Sequence, residues 1–153
     1  MIKTIYRGKR FKVVIYKDKI KEREIVFGPE SVAIIPIKNN KILLVKQFRH
    51  IFGYIWEIPA GKIEKNESPL KAAKRELLEE TGYKGKFEKI GKFIVTPGYS
   101  NEVMHFYIAY DIEKVKEFDK KEIKEIKFFD INKVKTKDLK TNFAIFLLKY
   151  KLC

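Results

Sequence analysis

The stretch 61–83, GKIEKNESPLKAAKRELLEETGY, decides how this chain is read. Ser68 is a good helix N-cap, Pro69 suits the first helical position, and Gly82 suits the left-handed residue that ends a helix. Together they predict a helix over 69–81. At about 100° per residue, Leu70, Ala73 and Leu77 form one apolar stripe that faces a core. Glu76 and Glu80 are i,i+4 neighbours on the flank of that stripe, with Glu79 one step further round. Each like-charge i,i+4 pair costs about a few tenths of a kcal/mol, and Arg75, four before Glu79, offsets only part. Two readings of this acidic turn stay open: a solvated face, or a site for a hard divalent cation. The chain's formal net charge is +14, so an acidic cluster beside a buried stripe is unusual in it. Oxygen ligands favour magnesium, with manganese a second choice.

On either side of this segment the sequence alternates between strands and loops. Residues 2–7, 11–17 and 20–27 are β-branched and aromatic, with Lys17-Asp18-Lys19 as a hairpin turn. Residues 31–37 (SVAIIPI) form a short apolar run, as in a strand buried on both faces. Asn39-Asn40 then turns the chain into 41–49. Residues 55–64 read as a strand breaking into a loop at Pro59 and Gly61. After the helix, 87–95 and 103–110 read as strands around the loop TPGYSNE, followed by a lysine-rich stretch. A strand at 125–131 and a helix from about 138 to 150 close the chain. Strands first, one helix in the middle and one at the end give an α+β fold with a mixed sheet.

Composition bounds the function. A chain of 153 residues argues for one domain, and 45% hydrophobic content supplies a core. The excess of 34 basic over 20 acidic residues invites a polyanionic partner: nucleic acid, a membrane surface or a phosphorylated small molecule. A single cysteine, Cys153, excludes an internal disulfide and a cysteine-rich zinc module. The charged opening MIKTIYRGKR lacks the apolar stretch of a signal peptide, and no apolar run approaches the roughly 20 residues that cross a bilayer. The expectation is a soluble cytoplasmic protein with no membrane partner. Abundant lysine and isoleucine, with Gln47 the only glutamine, fit a thermophile or an AT-rich genome equally. Gly98 to Glu102 starts like a nucleophile elbow but lacks the closing glycine, which argues against a serine hydrolase. His50 and His105 have no metal-type spacing, and His105 and Trp56 read as core or strand-face residues. The lysine-rich segments 112–127 and 133–140 lack interleaved aromatics, so a solvated basic face fits better than specific nucleic-acid binding.

The spacing within 61–83 adds a family. Gly61, five residues, Glu67, seven residues, Arg75-Glu76-Leu77, one residue, Glu79-Glu80, one residue, Gly82 resembles the signature of the Nudix hydrolases at every fixed position. The flanks, Trp56 to Gly61 and Thr96-Pro97-Gly98, look like the ADP-ribose pyrophosphatase branch. So do Arg23-Glu24, Gln47-Phe48-Arg49 and Asp138-x-Lys140-Thr141. The resemblance implies an α/β/α sandwich and magnesium-dependent hydrolysis of ADP-ribose to AMP and ribose 5-phosphate. It implies Glu76 and Glu80 as metal ligands, Glu67 and Glu79 as accessory carboxylates and Arg75 as their orienting arginine. Ala60 would lend a backbone carbonyl to the metal. Arg23, Glu24, Arg49 and Glu64 match positions that recognise adenosine and diphosphate; Thr96 matches a serine in many relatives, and Glu102 a loop glutamate near the second ribose or the metals.

Diphosphate oxygens repel a nucleophile, which is why this chemistry needs a divalent cation to neutralise them and a carboxylate to take the proton from water. Registration on similar enzymes favours Glu122, on a loop, as that base over Glu125 at the start of the next strand. In similar enzymes the N-terminal strands cross to a partner, so the resemblance implies a swapped homodimer. Residues 1–30 would be the dimerising β-region and 31–153 the Nudix domain. Two alternatives remain: a pyrophosphatase acting on another nucleoside diphosphate sugar or on a dinucleotide such as NADH, and a nucleotide-binding module without turnover.

Overall fold

The computed structural model describes residues 1–150, so Cys153 lies outside the described residues. Three strands, β1 (Ile2–Arg7), β2 (Lys12–Lys17) and β3 (Glu22–Phe27), form a separate antiparallel sheet. Val14 is its one buried hydrophobic residue, and every residue of β1 is exposed. The sheet is fastened to the rest of the chain at one corner. There Val26 exchanges backbone hydrogen bonds with Tyr99 (2.8 Å) and Asn101 (3.2 Å), and the Asn101 amide bonds both backbone groups of Gly28.

The main sheet holds β4 (Ser31–Lys38), β5 (Lys41–Arg49), β6 (Gly53–Glu57), β7 (Ala60–Lys62), β8 (Tyr83–Ile94), β9 (Val103–Lys114) and β10 (Ile123–Asp130). Its central order is β10-β5-β4-β9-β8, with β4 and β9 parallel and the other pairs antiparallel. Helices α1 (Pro69–Thr81) and α2 (Leu139–Tyr150) cover opposite faces. Strand alternation produces this division. Val32 and Ile34 pack with Ala72, Ala73 and Leu77 of α1, while Ala33 and Ile35 pack with Ala144 of α2. The architecture is thus α+β, a mixed sheet between two helices with an added three-stranded sheet.

The sheet splits in its middle. β5 pairs with β4 only beside their shared turn, at Ile37↔Ile42 and Lys38↔Lys41. Further along, β5 pairs with β6 from Val45 to Arg49, whereas β4 pairs with β7. The chain crosses from one arm to the other through Ile58-Pro59, and the first turn of α2 closes the gap: Thr141 Oγ1 accepts the Ile58 N–H at 2.8 Å.

Several sequence expectations shift. Gly61 lies inside β7 rather than in a loop, because pairing with Val32 extends the backbone there. β8 begins at Tyr83, immediately after the helix, and β9 runs on to Lys114 because the two strands pair over their whole length. β10 starts at Ile123, two residues early, its side chain buried. In α1 the core stripe is Ala72, Ala73 and Leu77, while Leu70 is 39% exposed. The small alanines, and not Leu70, face the strands, packing against Val32 and Ile34.

Candidate active site

Helix α1 forms between the stops read from the sequence. Ser68 Oγ accepts the Lys71 N–H at 3.3 Å, and Gly82, at φ 77°, returns its N–H to the Leu78 carbonyl. These ends fix the rotation of the helix, and with it where Arg75 and three glutamates, Glu76, Glu79 and Glu80, point.

Arg75 organises the cluster. Its guanidinium donates to Glu67 twice (Nε 3.0 Å, Nη2 2.9 Å), to Glu76 (2.7 Å), to Glu79 (3.3 Å) and to the Lys62 carbonyl (3.0 Å). All five donors of the side chain are used. Glu67 in turn accepts the Glu64 N–H at 3.0 Å, so the loop before the helix is tied to the same arginine. The Arg75 bonds hold the Glu67 carboxyl below its ordinary range.

Glu76 lies under β7. A methyl group on Gly61 would sit 1.9 Å from Glu76 Oε1, so any larger residue there would push this carboxylate out of its place beside Arg75. Glu80, expected on the helix flank, is only 6% exposed, and its Oε2 accepts the Ala60 N–H at 3.0 Å. Burial, and then the neighbouring Glu76 charge, push the Glu80 carboxyl up to about 8. Burial also raises Glu76 against the pull of Arg75, with the charges of Glu79 and Glu122 adding to the rise.

These groups suit a divalent cation. The donors are carboxylate and carbonyl oxygens, the ligands of hard ions, and two closely spaced carboxylates are desolvated without a cation for each. Among the described residues no three acidic or imidazole side chains are already gathered into a cage, since Arg75 draws Glu67, Glu76 and Glu79 toward itself. Glu76, Glu80 and the Ala60 carbonyl are the groups that would hold the ion.

A cleft of about 1490 Å³ opens between the β5–β6 hairpin, the turn before β10 and the start of α2. Arg10, Arg49, Trp56, Glu122 and Lys140 line it. None of the carboxylates around Arg75 lines it, but Glu122 in its wall acts on the charge of Glu76, and Arg49 feels that of Glu80. Arg49 forms a two-point bond with Glu57, Nε to Oε1 at 3.0 Å and Nη2 to Oε2 at 2.6 Å. Lys140 Nζ lies 2.8 Å from Glu57 Oε2 and 2.9 Å from Asp138 Oδ1. Burial works to raise the Glu57 carboxyl, but the Arg49 bond and the Lys140 charge outweigh it and hold it below its ordinary range.

Of the residues singled out from sequence, Ala60, Glu67, Arg75, Glu76, Glu79 and Glu80 come together. Arg49 feels the charge of Glu80, and Glu76 that of Glu122. Glu125 turns elsewhere, 3.7 Å from Lys46. Glu102 acts on the charge of Lys62, and the Thr96 hydroxyl is buried with no hydrogen-bond partner among the described residues. Glu64 contributes its backbone N–H. Arg23 and Glu24 are not among the residues of this cleft: Arg23 pairs with Asp18 at 3.0 Å beside the β2–β3 turn, and Glu24 sits opposite Ile15 on the same sheet.

Sequence reading gave no role to Glu57, Lys140, Asp138 or Thr141. The strings WEIPAG and DLKT held the signal, but they lie 83 residues apart in the Glu57–Lys140 contact. His105, read as core or strand face, is buried and bonds Glu30 Oε2 at 2.6 Å.

Comparison with known proteins places the chain among relatives. The chain is 42% identical over 123 residues to an ADP-ribose pyrophosphatase of Bacillus subtilis, covering 78% of this chain and 65% of that protein. It is 47% identical over 96 residues to a methanol dehydrogenase activator of Bacillus methanolicus, covering 61% and 52% respectively. It therefore spans between about half and two thirds of the length of these curated relatives. A crystal structure of an ADP compounds hydrolase shares the fold, with a TM-score of 0.78 at 23% identity, covering 99% of this chain and 91% of that one. No helix among the described residues is long and apolar enough to cross a membrane. The NUDIX domain model matches residues 29–149, from the first strand of the split sheet almost to the end of α2, and the chain belongs to the Nudix family.

Proposed function

We propose that this protein hydrolyses the diphosphate of ADP-ribose, adding one water to give AMP and ribose 5-phosphate, with magnesium as the preferred ion and manganese as a substitute. One observation carries the reading: Glu76 and Glu80 are both drawn out of water, within reach of the charges of Glu122 and Arg49, which stand in the wall of the cleft. A bound divalent cation would neutralise diphosphate oxygens and acidify water. Arg75 aligns Glu67, Glu76 and Glu79. Arg49 keeps one edge of its guanidinium for phosphate, because Glu57 engages only Nε and Nη2. Glu122 takes the proton from the attacking water. Its nearness to Glu76, and the turn of Glu125 toward Lys46, support that choice. The relative named as an ADP-ribose pyrophosphatase supports the substrate.

The proposal includes a homodimer in the cytoplasm, built through residues 1–30. Ile2, Ile5, Tyr6 and Tyr16 are each at least 45% exposed on the N-terminal sheet, apolar area that a second copy would cover. Arg23 and Glu24, remote from their own cleft, would then serve the partner's. Light scattering of the full chain tests this part, and an active monomer refutes it.

The main test is turnover of ADP-ribose with magnesium, with and without chelator, with products resolved by chromatography. AMP and ribose 5-phosphate in equal amounts, abolished by chelator, is the expected result. Preferential turnover of another nucleoside diphosphate sugar or of NADH would move the substrate. Tight binding without turnover of any of them would make the protein a nucleotide-binding module.

A further inference from the structure

The start of α2 is a second support of the site, built around Lys140. Arg49 is 41% exposed along its side chain, and among the described residues the only hydrogen-bond partner of its guanidinium is Glu57. Where Arg49 points therefore depends on how firmly Glu57 is held. The Glu57 side chain is 4% exposed, and its second partner is Lys140, which bonds the same oxygen, Oε2, that receives the short bond from Arg49 Nη2. Lys140 is itself gripped from the other side by Asp138. Asp138 is immobilised because its Oδ2 caps the helix, accepting the Thr141 N–H at 2.9 Å and the Thr141 hydroxyl. Two cations and two carboxylates thus alternate from the helix cap to the cleft, Asp138–Lys140–Glu57–Arg49, and the chain is electrically neutral. Thr141 also fixes the Ile58 N–H, two residues before Ala60.

We infer that Lys140 is a positioning residue that acts through Glu57 to hold Arg49 with its free edge toward the diphosphate. This rests on the proposed pyrophosphatase reading for the identity of the ligand. Without Lys140, Glu57 loses one of two charge-assisted bonds on Oε2 and is free to rotate, and Arg49 follows it. With Arg49 absent, the same lysine has nothing left to direct.

The test is a double-mutant cycle between Lys140→Met and Arg49→Ala, read in two ways. In steady-state turnover of ADP-ribose, Lys140→Met should raise KM about tenfold and change kcat less than about threefold, since a ground-state phosphate contact is loosened. In chelator, calorimetry with ADP should show a comparable loss of about tenfold in affinity. In the Arg49→Ala background, Lys140→Met should add less than about twofold in either measurement, and Lys140→Arg in the parent should recover to within about threefold. A penalty for Lys140→Met as large without Arg49 as with it, or no penalty at all, overturns the inference. So does an undetectable affinity of the parent protein for ADP. If Lys140→Met does not fold, Lys140→Gln takes its place in the cycle. A parent protein that binds ADP but does not turn over ADP-ribose defeats the functional reading alone, and the ADP series still decides the role of Lys140.

Discussion

At the scale of single residues, Glu80 is the informative one, because its two duties oppose each other. A buried carboxylate beside Glu76 costs folding free energy when ionised and no cation accompanies it. The sign is fixed by the raised folded value of about 8: the cost is absent below the unfolded carboxylate range and grows as pH rises toward 8. Glu80→Gln keeps an oxygen for the Ala60 N–H and removes the charge. In chelator at pH 8 it should therefore be more stable than the parent, by about 1 kcal/mol or a few degrees in Tm. Its turnover in magnesium should fall at least about 100-fold, as should that of Glu76→Gln. A melting curve and a rate measured on the same sample check both signs. Near-parental activity of either variant at limiting magnesium removes it from the ligand set. Glu122 and Glu125 are separated in the same manner. Glu122→Gln should lower kcat about 100-fold with little change in KM, while Glu125→Gln, which loses only an ion pair to Lys46, should be mild. The reverse pattern assigns the base to Glu125.

At the scale of elements, α1 is delivered to the site by its two ends. The C-terminal end is the stricter. Gly82 has φ 77°, and a methyl group there would come within 2.1 Å of the Lys116 carbonyl oxygen, a backbone atom with no room to yield. Gly82→Ala should destabilise by about 2–4 kcal/mol, from the left-handed backbone and the clash together, or roughly 5–10 °C in Tm. Ser68→Ala removes one bond to the Lys71 N–H on an exposed turn, and about 1 kcal/mol is expected. Thermal melts of the two variants should preserve that order. An equal or reversed loss means that the backbone at Lys116, just after β9, does not constrain the helix end.

For the whole molecule, the network joining α2 to the split sheet makes stability depend on acid. Glu57 has its folded value held below the unfolded one by Arg49 and Lys140. A depressed carboxylate contributes stability that is complete above its unfolded range, near 4.5, and is lost as pH falls through the folded value. Denaturant unfolding of the full chain in chelator between pH 7 and pH 3 should show stability rising at first, as the cost of the ionised Glu80 is relieved, and then falling below about pH 4.5 as Glu57 takes its proton. Glu57→Gln should be less stable at pH 7 by about 3–5 kcal/mol, since Arg49 and Lys140 lose their common partner, and its fall with acid should be shallower. An unchanged acid limb in the variant would mean that other carboxylates set it.

The sequence by itself determined what neighbouring residues settle among themselves. Caps at Ser68 and Gly82, the period of α1, the pairing of Glu76 and Glu79 with Arg75, and the alternation of β4 all follow from contacts a few residues apart. Backbone geometry makes such contacts wherever the chain goes. Tertiary structure decided the rest. It buried Glu80 beneath Ala60 and brought Lys140 to Glu57. It also replaced Leu70 by Ala72 in the core stripe, and kept Arg23 beside its own hairpin. Each of these depends on desolvation by segments that are distant in sequence and adjacent only once the sheet has split around α2. Burial is a property of the assembled neighbourhood, and no local pattern of residues encodes it.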